Sequence, residues 1–125
     1  MMKALLENWK RHINESQLKL GYNDFRYGRV DIARASSEYS ELDLDNYLAI
    51  SDIETYESGH FRNLMQAIEE FAKKNGYAGI VLRAETQDKS RISQDALEEL
   101  YKKLGYNYYS TDAYEESDVF MIKRL

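Results

Sequence analysis

The sequence predicts a mixed α/β fold, an α+β mixed sheet in which one central sheet is flanked by about three helices. Three observations predict it. An apolar strand over residues 46–55 runs into an amphipathic helix over 59–75 and then into a second apolar run over 78–84. A strand–helix–strand unit of this kind crosses over right-handed and sets its two strands parallel. A further helix over 94–104 precedes two short strand patterns, close enough in the chain to pair antiparallel. Parallel and antiparallel pairs in one chain give a mixed sheet with helices on its faces.

Each element has a local cause. Met2, Leu5, Leu6, Trp9 and Ile13 recur at helical spacing and predict a helix over 2–18, which Gly21 and Asn23 punctuate. Residues 24–36 read as a strand with Val30 and Ile32 on one face and Asp31 on the other. The stretch Ser36 to Glu41 is polar and turn-like. In the strand over 46–55, Leu48 and Ile50 alternate with Tyr47 and Ala49, and this strand pairs with the previous one through a long connection. Phe61, Leu64, Met65, Ile68, Phe71 and Ala72 line one face of the next helix, which Lys73, Lys74 and Gly76 close. Ala78 to Ala84 is a buried strand, Gln87 to Ser93 a polar loop, and Ser93 an N-cap. The last helix buries Leu97, Leu100 and Leu104 and ends at Gly105. Strands follow at 106–109 and 119–123, joined by the polar loop 110–117. With no linker, repeat or low-complexity tract, residues 1–125 are expected to form one domain.

Composition narrows the function. At 125 residues, with 43% hydrophobic and 31% charged, the chain is long enough to bury a core. A net charge of −5 argues against a broad nucleic-acid footprint. There is no cysteine, which removes disulfides, thiol nucleophiles and Cys-zinc sites. His12 and His60 are the two histidines, too few for a His-rich metal site, and no metal is expected. No apolar run spans a membrane and no signal-peptide pattern is present, so the expected location is cytoplasmic.

Two segments carry chemistry. Gly59-His60-Phe61-Arg62 opens a helix directly after a strand. Unpaired backbone N–H groups and the helix dipole there suit a phosphate-like anion. Tyr101, on the following helix, brings a phenol beside it. Together they suggest a transferase that uses a phosphate-bearing cofactor.

From about residue 46 to 125 the chain resembles the GCN5-related N-acetyltransferases. The strand, glycine turn and helix resemble that family's acetyl-CoA pyrophosphate segment. Ile92 to Tyr106 resembles its second signature, with Tyr101, Gly105 and Tyr106 in register, and Val119 to Leu125 resembles its last strand. The short length and the Ser93-Gln94 start of the helix resemble small phage-encoded members, and the N-terminal half departs from the family in having one helix where it often has two. The resemblance implies acetyl-CoA as cofactor and a primary amine as acceptor, on a small molecule or a protein lysine. The sheet would open beside residues 51–55. The backbone of Ile53 and Thr55 would bind the pantetheine arm, and Ser58, Gly59, His60, Phe61 and Arg62 would hold the pyrophosphate. Tyr101 would protonate the departing thiolate, and Glu54 or Asp52 would take the amine proton. The loop departs from the family pattern: Tyr56 stands for Arg or Gln, Glu57 adds negative charge, and Phe61 fills a position that is normally small.

Other readings stand beside these. Phe61 and Tyr101 also fit core positions, Glu54 also fits a solvated strand end, and His60 reads as a surface residue rather than a base. Lys89, Arg91 and Lys102 either clasp an outer phosphate or are solvated. The acidic loop Asp112 to Glu116 either attracts a cationic amine or is a plain hairpin tip. Tyr106, Tyr108, Tyr109 and Tyr114 offer a partner surface. The alternative function is an inactive protein-interaction or inhibitory module of the same fold. A protein partner and a homodimer are both compatible with the sequence.

Overall fold

A computed structural model describes residues 18–25, 28–55, 60–86, 92–110 and 118–125. All but the last residue of the helix expected over 2–18 lies outside the described residues, as do 56–59, 87–91 and 111–117. The elements are β1 (Gly21–Phe25), β2 (Gly28–Arg34), α1 (Ala35–Glu38), β3 (Tyr47–Thr55), α2 (Phe61–Lys74), β4 (Gly79–Arg83), α3 (Gln94–Lys103), β5 (Asn107–Tyr109) and β6 (Phe120–Arg124). The strands form one mixed sheet in the order β1-β2-β3-β4-β6-β5. The β3–β4 pair is parallel and the other pairs are antiparallel.

The strand expected over 24–36 is two strands and a helical turn. β1 and β2 form a hairpin in which Phe25 lies opposite Gly28. Gly21 and Asn23 therefore belong to β1 rather than to a helix end. The reason is local hydrogen bonding. The Asn23 side chain accepts from the Lys19 N–H at 3.2 Å and donates to the carbonyls of Lys19 at 2.8 Å and Gly21 at 3.0 Å, closing a turn just before the strand. The polar stretch after β2 is also more structured than its composition suggests. It forms α1 and a 3-10 turn at Ser40–Leu42, because Ala35, Tyr39 and Leu42 bury against the sheet with Ala49, Val81 and Phe120.

The two faces of the sheet bury separate clusters. On one, α2 lays Met65, Ile68 and Ala72 over Val30, Ile32, Leu48, Ile50, Ile80, Leu82 and Met121, joined by Tyr101 and Tyr106. On the other lies the cluster under α1. β4 is buried along Gly79 to Leu82 because both faces are covered. A Cβ on Gly79 would come within 2.5 Å of the Lys123 carbonyl oxygen and of the Tyr47 ring, so only glycine lets those groups close over the start of β4.

α2 ends on Gly76 at φ +77°. The Tyr77 N–H reaches back to the Ala72 carbonyl and the Gly76 N–H to the Lys73 carbonyl, a Schellman cap. Among the described residues, no helix is long and apolar enough to cross a membrane.

Ile68 is fully buried at the centre of the α2 face. Ile68→Ala should lower the unfolding free energy by about 2–5 kcal/mol. Urea titration checks this as a lower midpoint at unchanged slope.

Candidate functional site

The site is built on a fork between the two parallel strands. β3 pairs with β4 from Tyr47↔Gly79 to Ile50↔Leu82 and no further. β4 then follows β6, with Arg83 opposite Phe120 and the Ala84 N–H on the Val119 carbonyl at 2.7 Å. β3 instead follows β2 to Thr55. The cause is a β-bulge. Asp31 lies opposite Asp52, but Ile32 lies opposite Ile50, which leaves Ser51 as an extra residue in β3. Its hydroxyl donates to the Asp31 carbonyl at 3.0 Å. A bulge bends its strand and increases local twist, and this one lies directly after the last β3–β4 rung. Among the described residues, Ser51 to Thr55 therefore have a strand partner on the β2 side only. At about 3.3 Å per residue, that is roughly 17 Å of backbone edge.

The bulge also resets side-chain parity. Ile50 and Ile53 both pack on the α2 side although three positions separate them. Asp52 and Glu54 consequently point to the other face, where Glu54 pairs with Arg29 at 2.7 Å, both about two-fifths exposed. Asp52 lies opposite Asp31 on that face.

Along the chain, α2 begins at Phe61, after β3 ends at Thr55. His60 occupies the N-cap and makes no side-chain capping bond, and no acidic residue sits in the first turn. α3, by contrast, is capped by the Ser93 hydroxyl, which accepts from the Ala96 N–H at 3.2 Å. The exposed Arg62 adds positive charge to the first turn of α2.

α3 ends in a second Schellman cap. Gly105 has φ +97°. The Tyr106 N–H reaches the Tyr101 carbonyl at 3.0 Å and the Gly105 N–H reaches that of Lys102 at 3.0 Å. The two tyrosines thus occupy the positions whose side chains meet across such a cap, and their rings pack edge-on at 5.7 Å. Lys123 donates to the Leu104 carbonyl at 2.8 Å and ion-pairs with Glu69 of α2, tying β6 and both helices together. Tyr101 is 3% exposed, in the same cluster as Ile50 and Leu82. The half-buried Phe61 ring meets it edge-on at 5.4 Å. Phe61 therefore joins the start of α2 to the wall around Tyr101.

Three solved structures share this architecture. A protein assigned as an N-acetyltransferase from Lactobacillus plantarum aligns at 18% identity and TM-score 0.56, over 83% of this chain and 65% of that one. The PaiA N-acetyltransferase from Thermoplasma acidophilum, in complex with coenzyme A, aligns at 17% identity and TM-score 0.54, over 79% of this chain and 54% of that one. A protein assigned as an acyl-CoA N-acyltransferase from Klebsiella pneumoniae aligns at 19% identity and TM-score 0.57, over 98% of this chain and 86% of that one. The chain shares the fold of these three acyltransferase structures. The chain spans less than two thirds of the length of the first two of these neighbours. No protein-family profile matches the sequence, and no curated protein does.

Within this acetyltransferase fold, the sequence-predicted residues fall as follows. Ile53 and Thr55 lie in the part of β3 that pairs with β2 but, among the described residues, not with β4, and His60, Phe61 and Arg62 lie at the start of α2. Ser58 and Gly59 lie outside the described residues, with Tyr56, Glu57, Lys89, Arg91 and the loop 112–116. Glu54 and Tyr101 flank the fork from opposite faces. Lys102 is engaged by Glu99 at 3.3 Å and by the Tyr108 ring at 4.5 Å. The tyrosines expected as a partner surface divide. Tyr106 is 1% exposed. Tyr109 donates to the Leu42 carbonyl at 3.1 Å. Tyr108 is exposed and donates to Glu98 at 2.7 Å.

Burial pushes the Tyr101 phenol well above its usual value, with the Tyr39 phenol adding to the push. Burial does the same to Tyr106, with Glu69 and then Tyr101 contributing. A raised folded-state value favours the neutral phenol. The resulting stability is fully present below the unfolded value of about 10 and is lost as pH climbs from there through the folded-state values. The thermal midpoint should hold to about pH 9 and fall above about pH 10. Tyr101→Phe should make that alkaline fall shallower, as thermal melts across a pH series would show.

Proposed function

We propose that this protein is an acyl-CoA-dependent N-acyltransferase that moves an acetyl group from acetyl-CoA to a primary amine. The fork carries this reading. An edge of roughly 17 Å with no strand partner among the described residues offers backbone donors and acceptors, and a pantetheine arm, with its amide groups, pairs with such an edge as a further strand would. The described residues fit the rest of the cofactor. The α2 N-terminus, with no acidic residue in its first turn and with Arg62 beside it, suits a diphosphate. An arm anchored there and running back along Thr55 to Ser51 brings its tip to the bulge.

Acetyl-CoA supplies the acyl group as an activated thioester. Tyr101 faces the fork from the α2 side. Burial keeps the phenol protonated at physiological pH, so it is available to donate a hydrogen bond to sulfur as negative charge develops there. Glu54 and Asp52 lie across the sheet from Tyr101, the side from which an amine approaches opposite a departing thiolate. Glu54 shares its carboxylate with Arg29 and keeps oxygen lone pairs for an amine proton. A surface carrying Asp52, Glu54 and Asp31 also favours a cationic acceptor, such as a lysine side chain or a polyamine.

Acetyl-CoA at about 100 times its Kd should stabilise the protein by about 2.7 kcal/mol, seen as a raised thermal midpoint. An unchanged midpoint at millimolar acetyl-CoA would overturn the proposal. Tyr101→Phe should lower turnover on the order of 100-fold while leaving acetyl-CoA affinity nearly unchanged. Thiol release with a panel of amines, alongside calorimetric binding, checks this. Equal turnover would remove Tyr101 from the mechanism.

A further inference from the structure

Tyr39 lies in the segment after α1, on the face of the sheet opposite α2 and Tyr101. Its ring packs edge-on against Phe120 at 5.1 Å, and the residue is 8% exposed. Its hydroxyl does not stay among the apolar side chains of that face. It donates to the carbonyl of Ile50 at 3.3 Å, a buried hydrogen bond. Ile50 forms the last rung of the β3–β4 ladder, and Ser51 is the bulged residue that follows. Tyr39 thus grips the backbone at the apex of the fork. Tyr101 approaches from the other face, in the cluster that contains the Ile50 side chain. The Tyr39 phenol is near enough to Tyr101 to add to the upward push on the Tyr101 phenol.

We propose that Tyr39 is a positioning residue of the acyl-transfer site: by fixing the Ile50 carbonyl it sets where the fork closes, and so where the thioester end of acyl-CoA stops relative to Tyr101. This inference rests on the acyl-transfer reading above and deepens it. The hydrogen bond lies at the inner end of the open edge. The helix N-terminus suited to the diphosphate follows its outer end, Thr55, in the chain. The hydroxyl therefore governs the acyl end of the ligand and leaves the phosphate end untouched. A purely structural hydroxyl would leave the ratio of the two ligands' affinities unchanged.

Tyr39→Phe keeps the ring and its packing on Phe120 and removes only the hydroxyl. Tyr109→Phe is the control. It removes another buried-side hydroxyl bond of the same face, to the Leu42 carbonyl, away from the fork. Calorimetric titration with acetyl-CoA and with free CoA reads the effect. Tyr39→Phe should weaken acetyl-CoA about fivefold to tenfold while CoA changes less than about twofold. Tyr109→Phe should leave both ligands within about twofold of the parent. Acetyl-CoA and CoA weakening together in Tyr39→Phe, or neither weakening, overturns the inference while leaving the acyl-transfer reading intact. A parent protein that binds neither ligand overturns both. Should Tyr39→Phe fail to fold, tyrosine labelled with carbon-13 at Cζ in the unaltered protein decides. The Tyr39 signal should shift with acetyl-CoA and stay in place with CoA. Equal shifts with the two ligands contradict the inference.

Discussion

Ile50 pairs with Leu82 across the parallel ladder, and one residue later β3 has left it. The extra residue at Ser51 makes that departure possible. A regular β3 would continue along β4 and close the sheet, leaving no free edge. With Ser51 inserted and its hydroxyl bound to the Asp31 carbonyl, β3 bends with β2 and away from β4. The same insertion turns Ile53 toward the α2 side, so β3 keeps its apolar contacts beyond the bend. It also turns Asp52 and Glu54 to the opposite face. One inserted residue therefore creates the opening, preserves the core beneath it and sets carboxylates across the sheet from Tyr101.

The wall facing that opening obeys packing rules as much as chemical ones. The spacing of Tyr101, Gly105 and Tyr106 is that of a Schellman cap: a glycine with φ near +97°, two backward hydrogen bonds and a ring-on-ring contact. Helix termination and placement of the phenol are one arrangement. Lys123 reinforces it from β6 through the Leu104 carbonyl and Glu69. Phe61 serves both sides of the site, opening α2 while its ring closes against Tyr101. The half-buried Phe61 ring packs edge-on against the buried phenol. It also removes water from around a phenol that burial already keeps neutral.

The legible parts of the sequence were those in which periodicity and capping agree. α2 has a continuous stripe from Phe61 to Ala72 and a glycine cap, and it forms within two residues of its expected ends. β4, α3 and the parallel crossover were equally plain. The β1–β2 hairpin was not, because Gly21 and Asn23 mark a helix end as readily as a strand start, and the Asn23 hydrogen bonds decide between them. Tyr39 was hidden in a stretch of Ser and Glu whose composition says turn. The four-residue spacing of Ala35 and Tyr39 was the available trace of its burial. The bulge had a stronger trace: Leu48 and Ile50 alternate, but the next apolar residue is Ile53 rather than residue 52. A break in period two within a strand is the signature of an inserted residue.

The account depends on the edge of β3 beyond Ser51 accepting an acyl-CoA arm. Residue-resolved amide hydrogen exchange, with and without saturating CoA, tests this most directly. The fork-facing amides among Ser51 to Thr55 should exchange markedly more slowly with CoA present, while Tyr47 to Ile50, already paired with β4, should change little. Saturating CoA that leaves exchange at Ser51 to Thr55 unaltered would contradict the account.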